Sequence, residues 1–194
     1  MKPILSSLRR STIICFACCL ACVAARAETL ALCSPNGTHT VSVGEHGRIL
    51  YRQANDDRVE HTFYICNAQV LAFSDDGKLL AAVGGRNGSQ GKIKVWQLND
   101  HKQLCEIAMA GEPMRTVALA TDGNIVVAAN CDGSVEAWRV SDRKLQWSRR
   151  ISKAEAIQFA PDGKGLLVQC ADGTGRLLDP AKGRNLFQPK VAKD

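Results

Sequence analysis

The chain has 194 residues, with 25 Lys or Arg against 19 Asp or Glu, a formal charge of +6, and 45% hydrophobic and 23% charged residues. That balance belongs to a folded domain with a real core and excludes a disordered or low-complexity polypeptide. The positive excess is concentrated at the start. Lys2, Arg9, Arg10 and Arg26 precede Glu28 with no acidic residue among them, so the remainder carries +2, too little to indicate a nucleic-acid partner.

Residues 1–27 read as a secretory signal peptide. Lys2, Arg9 and Arg10 form a basic start, Ile13 to Ala25 an apolar stretch, and Ala25-Arg26-Ala27 a small-x-small cleavage site ahead of Glu28. The apolar run is shorter than the about 20 residues a membrane-spanning helix needs. The layout expected is therefore a signal peptide, 1–27, and one folded domain, 28–194, exported to the periplasm or secreted, with no membrane span once the segment is removed. Leu20-Ala21-Cys22 resembles a lipoprotein cleavage box only in part. Within the same segment Cys15, Cys18, Cys19 and Cys22 have a spacing known from metal sites, but Phe16, Ala17, Leu20 and Ala21 between them offer no polar support. They read as apolar filler.

Five cysteines follow: Cys33, Cys66, Cys105, Cys131 and Cys170. An odd number in an oxidising compartment leaves at least one without an intramolecular partner. Cys131 and Cys170 end the second apolar run of neighbouring repeats, positions compatible with a bridge. Cys33 stands where other repeats carry Phe73, Leu119 and Phe159, which suggests a buried apolar thiol.

The folded part repeats one phrase four times: Ser34-Pro35-Asn36-Gly37, Ser74-Asp75-Asp76-Gly77, Ala120-Thr121-Asp122-Gly123 and Ala160-Pro161-Asp162-Gly163. A period of about 40 residues marks units that bury their apolar faces on one another. Before each glycine, Ala31 and Cys33, Leu71 and Phe73, Val117 and Leu119, and Ile157 and Phe159 alternate as in a half-buried strand. The Asx-Gly pair tolerates the positive φ of a tight hairpin. Second strands follow at Leu79 to Val83, Ile125 to Ala129 and Leu166 to Val168, then second turns at Gly47, Gly91, Gly133 and Gly173. His46 reads as a residue of the first of these turns. Repeat two carries four extra residues near Arg86 to Gln90. Third strands are expected at Lys92 to Trp96 and Ser134 to Trp138. More polar fourth strands are expected at Val59 to Phe63, Gln103 to Ile107, Lys144 to Trp147 and Asn185 to Phe187. The fold class is thus all-β: an array of four four-stranded blades with approximate limits 28–66, 67–110, 111–152 and 153–194.

These residues resemble the WD-repeat β-propeller family. Val70 to Ala81 followed by Gly91 to Trp96 is the fullest copy, and Asp132 to Trp138 the next. The resemblance implies four-stranded blades around a central channel and partners docking on a rim or face. It also implies a structural role for the turn aspartates Asp132 and Asp172. The chain departs from the family at the Trp-Asp end, which is Trp96-Gln97, Trp138-Arg139, Leu178-Asp179 and Arg52-Gln53 here, and in having Gly111-Glu112 where a Gly-His element is usual. Four blades leave three arrangements open: a closed four-bladed ring, two chains completing an eight-bladed ring as a homodimer, or an open array.

No G-x-S-x-G elbow, H-E-x-x-H helix or phosphate-binding loop is present. Glu45, Asn130, Asp132 and Asp172 could be recruited to a channel metal of the kind some propeller enzymes use. The reading is a non-catalytic extracytoplasmic scaffold for a protein partner or small extracellular ligand, with no cofactor and no metal. The alternatives are a lactonase-like propeller hydrolase with a channel metal, or a shortened propeller that acts only as an oligomer. Candidate contact residues lie in three loops: Arg86, Asn87 and Gln90, then Glu112, then Arg149 and Arg150.

Overall fold

A computed structural model describes residues 30–56, 58–85, 91–109, 114–152 and 154–187. Sixteen strands make four separate four-stranded antiparallel sheets, each ordered as in the sequence. Blade 1 contains β1 (Ala31–Cys33), β2 (His39–Val43), β3 (Arg48–Gln53) and β4 (Val59–Tyr64). Blade 2 contains β5 (Val70–Phe73), β6 (Leu79–Gly84), β7 (Gly91–Gln97) and β8 (Gln103–Met109). Blade 3 contains β9 (Met114–Leu119), β10 (Ile125–Asn130), β11 (Ser134–Arg139) and β12 (Leu145–Arg150). Blade 4 contains β13 (Ala154–Phe159), β14 (Leu166–Cys170), β15 (Gly175–Leu178) and β16 (Asn185–Phe187). The all-β array of four blades expected from the repeats is what the chain forms.

Each repeated phrase closes the first hairpin of its blade in the same way. The glycine N–H donates to the carbonyl three residues back, from Gly37 to Ser34, Gly77 to Ser74, Gly123 to Ala120 and Gly163 to Ala160. The four glycines have φ between 68° and 71°, a region that L side chains rarely enter. Asn36, Asp76, Asp122 and Asp162 each accept the backbone N–H two residues on, at 2.9–3.1 Å, the Asx turn that removes one orphan donor. A second series, unforeseen in the sequence, closes the hairpins before the outer strands: Asp56, Asp100, Asp142 and Asp179 accept from Arg58, Lys102, Lys144 and Ala181. Every blade also has a register shift between its third and fourth strands, at Tyr51/Arg52, Val95/Trp96, Ala137/Trp138 and Leu177/Leu178.

One turn differs from expectation. Gly91 does not close a hairpin as Gly47 (φ 76°), Gly133 (φ 88°) and Gly173 (φ 81°) do. It opens β7 and pairs with Met109, while Lys92 pairs with Gly84. The β6–β7 ladder of repeat two is thus longer by a pair than its counterparts in blades 1 and 3. Residues 86–90 lie outside the described residues, as do residues 1–27, expected to be a signal peptide, and Glu112.

Three apolar cores join the blades in series. Val41, Ile49, Tyr51 and Phe63 of blade 1 pack on Leu71, Leu80, Ala82 and Trp96 of blade 2. Val83, Ile93, Val95 and Ile107 pack on Val117, Leu119, Val126 and Ala128 of blade 3. Val127, Val135, Ala137 and Trp147 pack on Ile157, Phe159, Leu166 and Val168 of blade 4. Each fully buried Val, Leu, Ile or Phe among them contributes roughly 1.5–3 kcal/mol by leaving water. Strand patterns follow from position in the series. Both faces of β6 and β10 are covered, so Leu80-Ala81-Ala82-Val83 and Val126-Val127-Ala128-Ala129 are buried throughout. In β14 burial alternates, with Leu166, Val168 and Cys170 in and Leu167 and Gln169 out. The first turns agree: a Cβ on Gly77, Gly123 or Gly163 would meet the preceding blade at Pro35, Leu79 or Thr121, but one on Gly37 meets nothing within 4 Å. Among the described residues the three cores join blade 1 to 2, 2 to 3 and 3 to 4, and none joins blade 4 to blade 1.

No disulfide joins Cys33, Cys66, Cys105, Cys131 and Cys170. The bridge considered for Cys131 and Cys170 is not made, since Cys131 sits exposed on the β10–β11 turn while Cys170 is sealed in the core between blades 3 and 4. Cys33 is half-buried rather than buried, because it lies beside Thr40 on the face of blade 1 that no blade covers. Burial pushes the Cys105 thiol up. In native buffer an alkylating reagent is expected to modify Cys66 and Cys131 rapidly and to reach Cys105 and Cys170 only on denaturation, which peptide mass spectrometry reads directly.

Candidate interaction surface

The outer strand of blade 3 is clamped onto the last turn of blade 4. Asp179 begins that turn by accepting the N–H groups of Ala181 (2.8 Å) and Lys182 (3.2 Å), and Gly183 (φ 65°) returns its N–H to the Asp179 carbonyl. Trp147 donates its indole N–H to the Pro180 carbonyl at 2.7 Å. Its ring lies so close beneath Gly183 that a Cβ there would come within 2.6 Å. Arg149 donates to the Gly183 carbonyl at 2.6 Å and reaches Asn185 Oδ1 at 3.4 Å. Beside this clamp is a groove of about 420 Å³, lined by Trp147, Arg149, Lys182, Arg184 and Asn185 among others, with no carboxylate in its wall among the described residues.

Of the contact residues expected from sequence, Arg149 lines this groove. Arg150, one place on in the same strand, leaves it and donates to the Asp132 carbonyl at 3.4 Å. The structure does not bring these two to one site, and Arg86, Asn87, Gln90 and Glu112 lie outside the described residues. Lys182 and Arg184 were missed. Their signal is the recurrence of basic residues on the third turn of successive repeats: Lys102, then Arg143 and Lys144, then Lys182 and Arg184.

At the other end of the array three of the four histidines, scattered in sequence, gather. His61 and His101 stack with ring centroids 4.1 Å apart and planes within 2°, against Phe63 at 4.7 Å and 6.0 Å. His39 stacks on Tyr51 at 4.6 Å and meets Glu60 Oε2 at 3.1 Å, while Gln53 donates to Glu60 Oε1 at 2.6 Å. Burial, and then the proximity of His101, lowers the pKa of His61 below its ordinary 6.5. The folded state therefore binds fewer protons than the unfolded one as pH falls below that value, and stability drops with it. Urea melts at falling pH are expected to show this loss, and His101→Asn, whose side chain tolerates the φ of 57°, is expected to lessen it.

The residues considered for a channel metal do not form a donor set. Glu45 lies in the one-turn 3-10 helix of blade 1, alongside His46, whose φ of 60° confirms it as a turn residue. Asp132 accepts the Ser134 N–H and hydroxyl at 2.8 and 3.0 Å, and the first of these bonds draws its pKa down. Asp172 accepts the same pair of bonds from Thr174. Both aspartates thus hold hairpins, as the family resemblance implies. Asn130 is buried in blade 3, with Oδ1 unpaired. Among the described residues no three His, Cys, Asp or Glu side chains are placed to hold a metal ion.

Four-stranded antiparallel meanders of about 40 residues, packed face to face in series and turned by Asx-Gly hairpins, define a WD-repeat protein of the β-propeller type. Within that class the chain belongs to the family described as a domain of unknown function, DUF7165, whose model matches residues 13–174. Curated relatives are similar at low identity. The human Angio-associated migratory cell protein is 29% identical over 119 residues, covering 60% of this chain and 27% of the relative. WD repeat and HMG-box DNA-binding protein 1 of Xenopus laevis is 26% identical over 126 residues, covering 55% and 11%. An uncharacterized WD repeat-containing protein of Schizosaccharomyces pombe is 29% identical over 102 residues, covering 51% and 25%. The chain spans about a quarter or less of the length of these three relatives.

Proposed function

We propose that the chain is an exported, non-catalytic scaffold that binds an acidic segment of a protein partner in the groove between blades 3 and 4. The observation that carries this reading is the lining of that groove: Arg149, Lys182 and Arg184 beside the Trp147 ring, with no carboxylate to neutralise them. Guanidinium and ammonium groups on a rigid turn suit carboxylates, and the adjoining ring supplies apolar contact. The likeness to WD-repeat proteins supports a binding role over catalysis, and the basic, apolar and small-x-small order of residues 1–27 supports export.

Anisotropy of a labelled poly-glutamate peptide tests the groove. Binding that weakens with salt, and at least about tenfold more in the variant Lys182→Glu/Arg184→Glu, is expected, equivalent to about 1.4 kcal/mol. Undiminished binding by that variant sinks the reading. N-terminal sequencing of the protein recovered outside the cytoplasm tests export separately, with Glu28 expected as the first residue.

A further inference from the structure

In each of blades 1 to 3 one cross-strand pair at the middle of the sheet packs against the next blade. The pairs are Val41–Tyr51, Ala81–Val95 and Val127–Ala137, all at most 6% exposed and all within the three inter-blade cores. The repeat puts Leu167–Leu177 at the same place in blade 4. Leu167 is 46% exposed, where its counterparts are sealed. The face keeps the apolar pair of an inter-blade contact and has no blade on it among the described residues.

Its surroundings indicate what covers it. Ala156, Gln158, Gln169 and Gly175 share that face with the two leucines by register, so the described strand residues there bear no charge. A neutral face rimmed by amides, each both donor and acceptor, can meet its own copy across a two-fold axis without like-charge repulsion. The outward face of blade 1 cannot serve as the partner. Where blades 2 to 4 present Leu80–Trp96, Val126–Trp138 and Leu166–Leu178 to the preceding blade, blade 1 has Thr40–Arg52, with Arg52 8% exposed and donating to Ser42 Oγ at 2.5 Å. Blade 1 thus lacks the apolar pair that would receive Leu167 and Leu177 and sets a guanidinium and hydroxyls in its place. Blade 1 has the polar outer face typical of a capping repeat, and blade 4 does not.

We infer that two copies of this chain associate through the outward faces of blade 4, centred on Leu167 and Leu177, in a two-fold dimer rather than a head-to-tail ring. One sheet face is a small interface, so the dimer is concentration-dependent. Light scattering coupled to gel filtration, across a concentration series of the full chain as its host processes it, provides the test. Twice the protomer mass is expected for the unaltered chain at high concentration. Leu167→Glu is expected to halve it with an unchanged thermal melt, since the site is on the surface, and Thr40→Glu on blade 1 is expected to leave the dimer intact. A chain that stays monomeric up to roughly 1 mM, or a dimer indifferent to Leu167→Glu, overturns the inference. A dimer broken by Thr40→Glu also overturns it, in favour of blade 1 meeting blade 4 of another copy.

Discussion

Replacing Phe63 with alanine is expected to destabilise the protein by about 3–5 kcal/mol and to do so unevenly along the chain. Phe63 is 2% exposed and is the centre of the aromatic cluster between blades 1 and 2, with Trp96 at 5.1 Å, Tyr51 at 6.3 Å and the two stacked histidines on its other side. Neighbours already locked in hydrogen-bonded strands cannot collapse into the space a phenyl leaves, so the cavity penalty adds to the lost transfer energy. The damage concentrates at one interface because the cores among the described residues join the blades in series. Blade 1 should come away first, leaving blades 2 to 4 folded. In a chain where Trp138 and Trp147 are replaced by Phe, the fluorescence of Trp96 should report a urea transition well before the loss of far-ultraviolet circular dichroism. Coincident transitions would show that the array unfolds as one unit and would refute the serial account.

Gly47→Ala is expected to be comparably severe, at about 3 kcal/mol or more, for a reason that lies in the backbone. Gly47 has φ 76°, and a Cβ there would lie 2.2 Å from the Ile65 carbonyl oxygen. The strained conformation alone costs about 1–3 kcal/mol. The clash adds to it, because Ile65 is fixed by its own N–H bond to the Gly47 carbonyl at 3.0 Å. Relief on one side stretches a bond on the other. Gly173→Ala is the matched control: φ is 81°, but nothing lies within 4 Å of its Cβ, so only the conformational cost remains. The difference between the two thermal melts isolates the contact, and equal losses would show that φ alone matters at both turns.

The blades could be read from the sequence because their determinants are local. Asx-Gly pairs at constant spacing, and alternation such as Ala31 and Cys33 or Ile157 and Phe159, depend on near neighbours and lie open in a single chain. Gly91 misled for an instructive reason. Its alignment with Gly133 is sound, since Trp96 pairs with Leu80 as Trp138 does with Val126. In a repeat lengthened by four residues the glycine nonetheless opens a strand instead of closing a turn. The groove was half legible: Arg149 stood in a basic cluster, but Lys182 and Arg184 face it only because Trp147 and Arg149 hold the last turn by bonds across more than 30 residues. The stacking of His61 on His101 across two blades has no local trace either.

The serial order of the three cores bears also on how the molecule is made. A closed ring must wait for its last blade to meet its first. Here, among the described residues, each apolar core joins blades adjacent in sequence, and the pairings within every sheet join strands consecutive along the chain. A polypeptide emerging N-terminus first can therefore lay down blade 1 and use it as the template for blade 2, and so on in turn, with no long-range closure to delay it. Until blade 4 arrives, the growing end always presents the apolar side of the newest sheet, so the stretch most exposed to misassociation moves along the chain as synthesis proceeds.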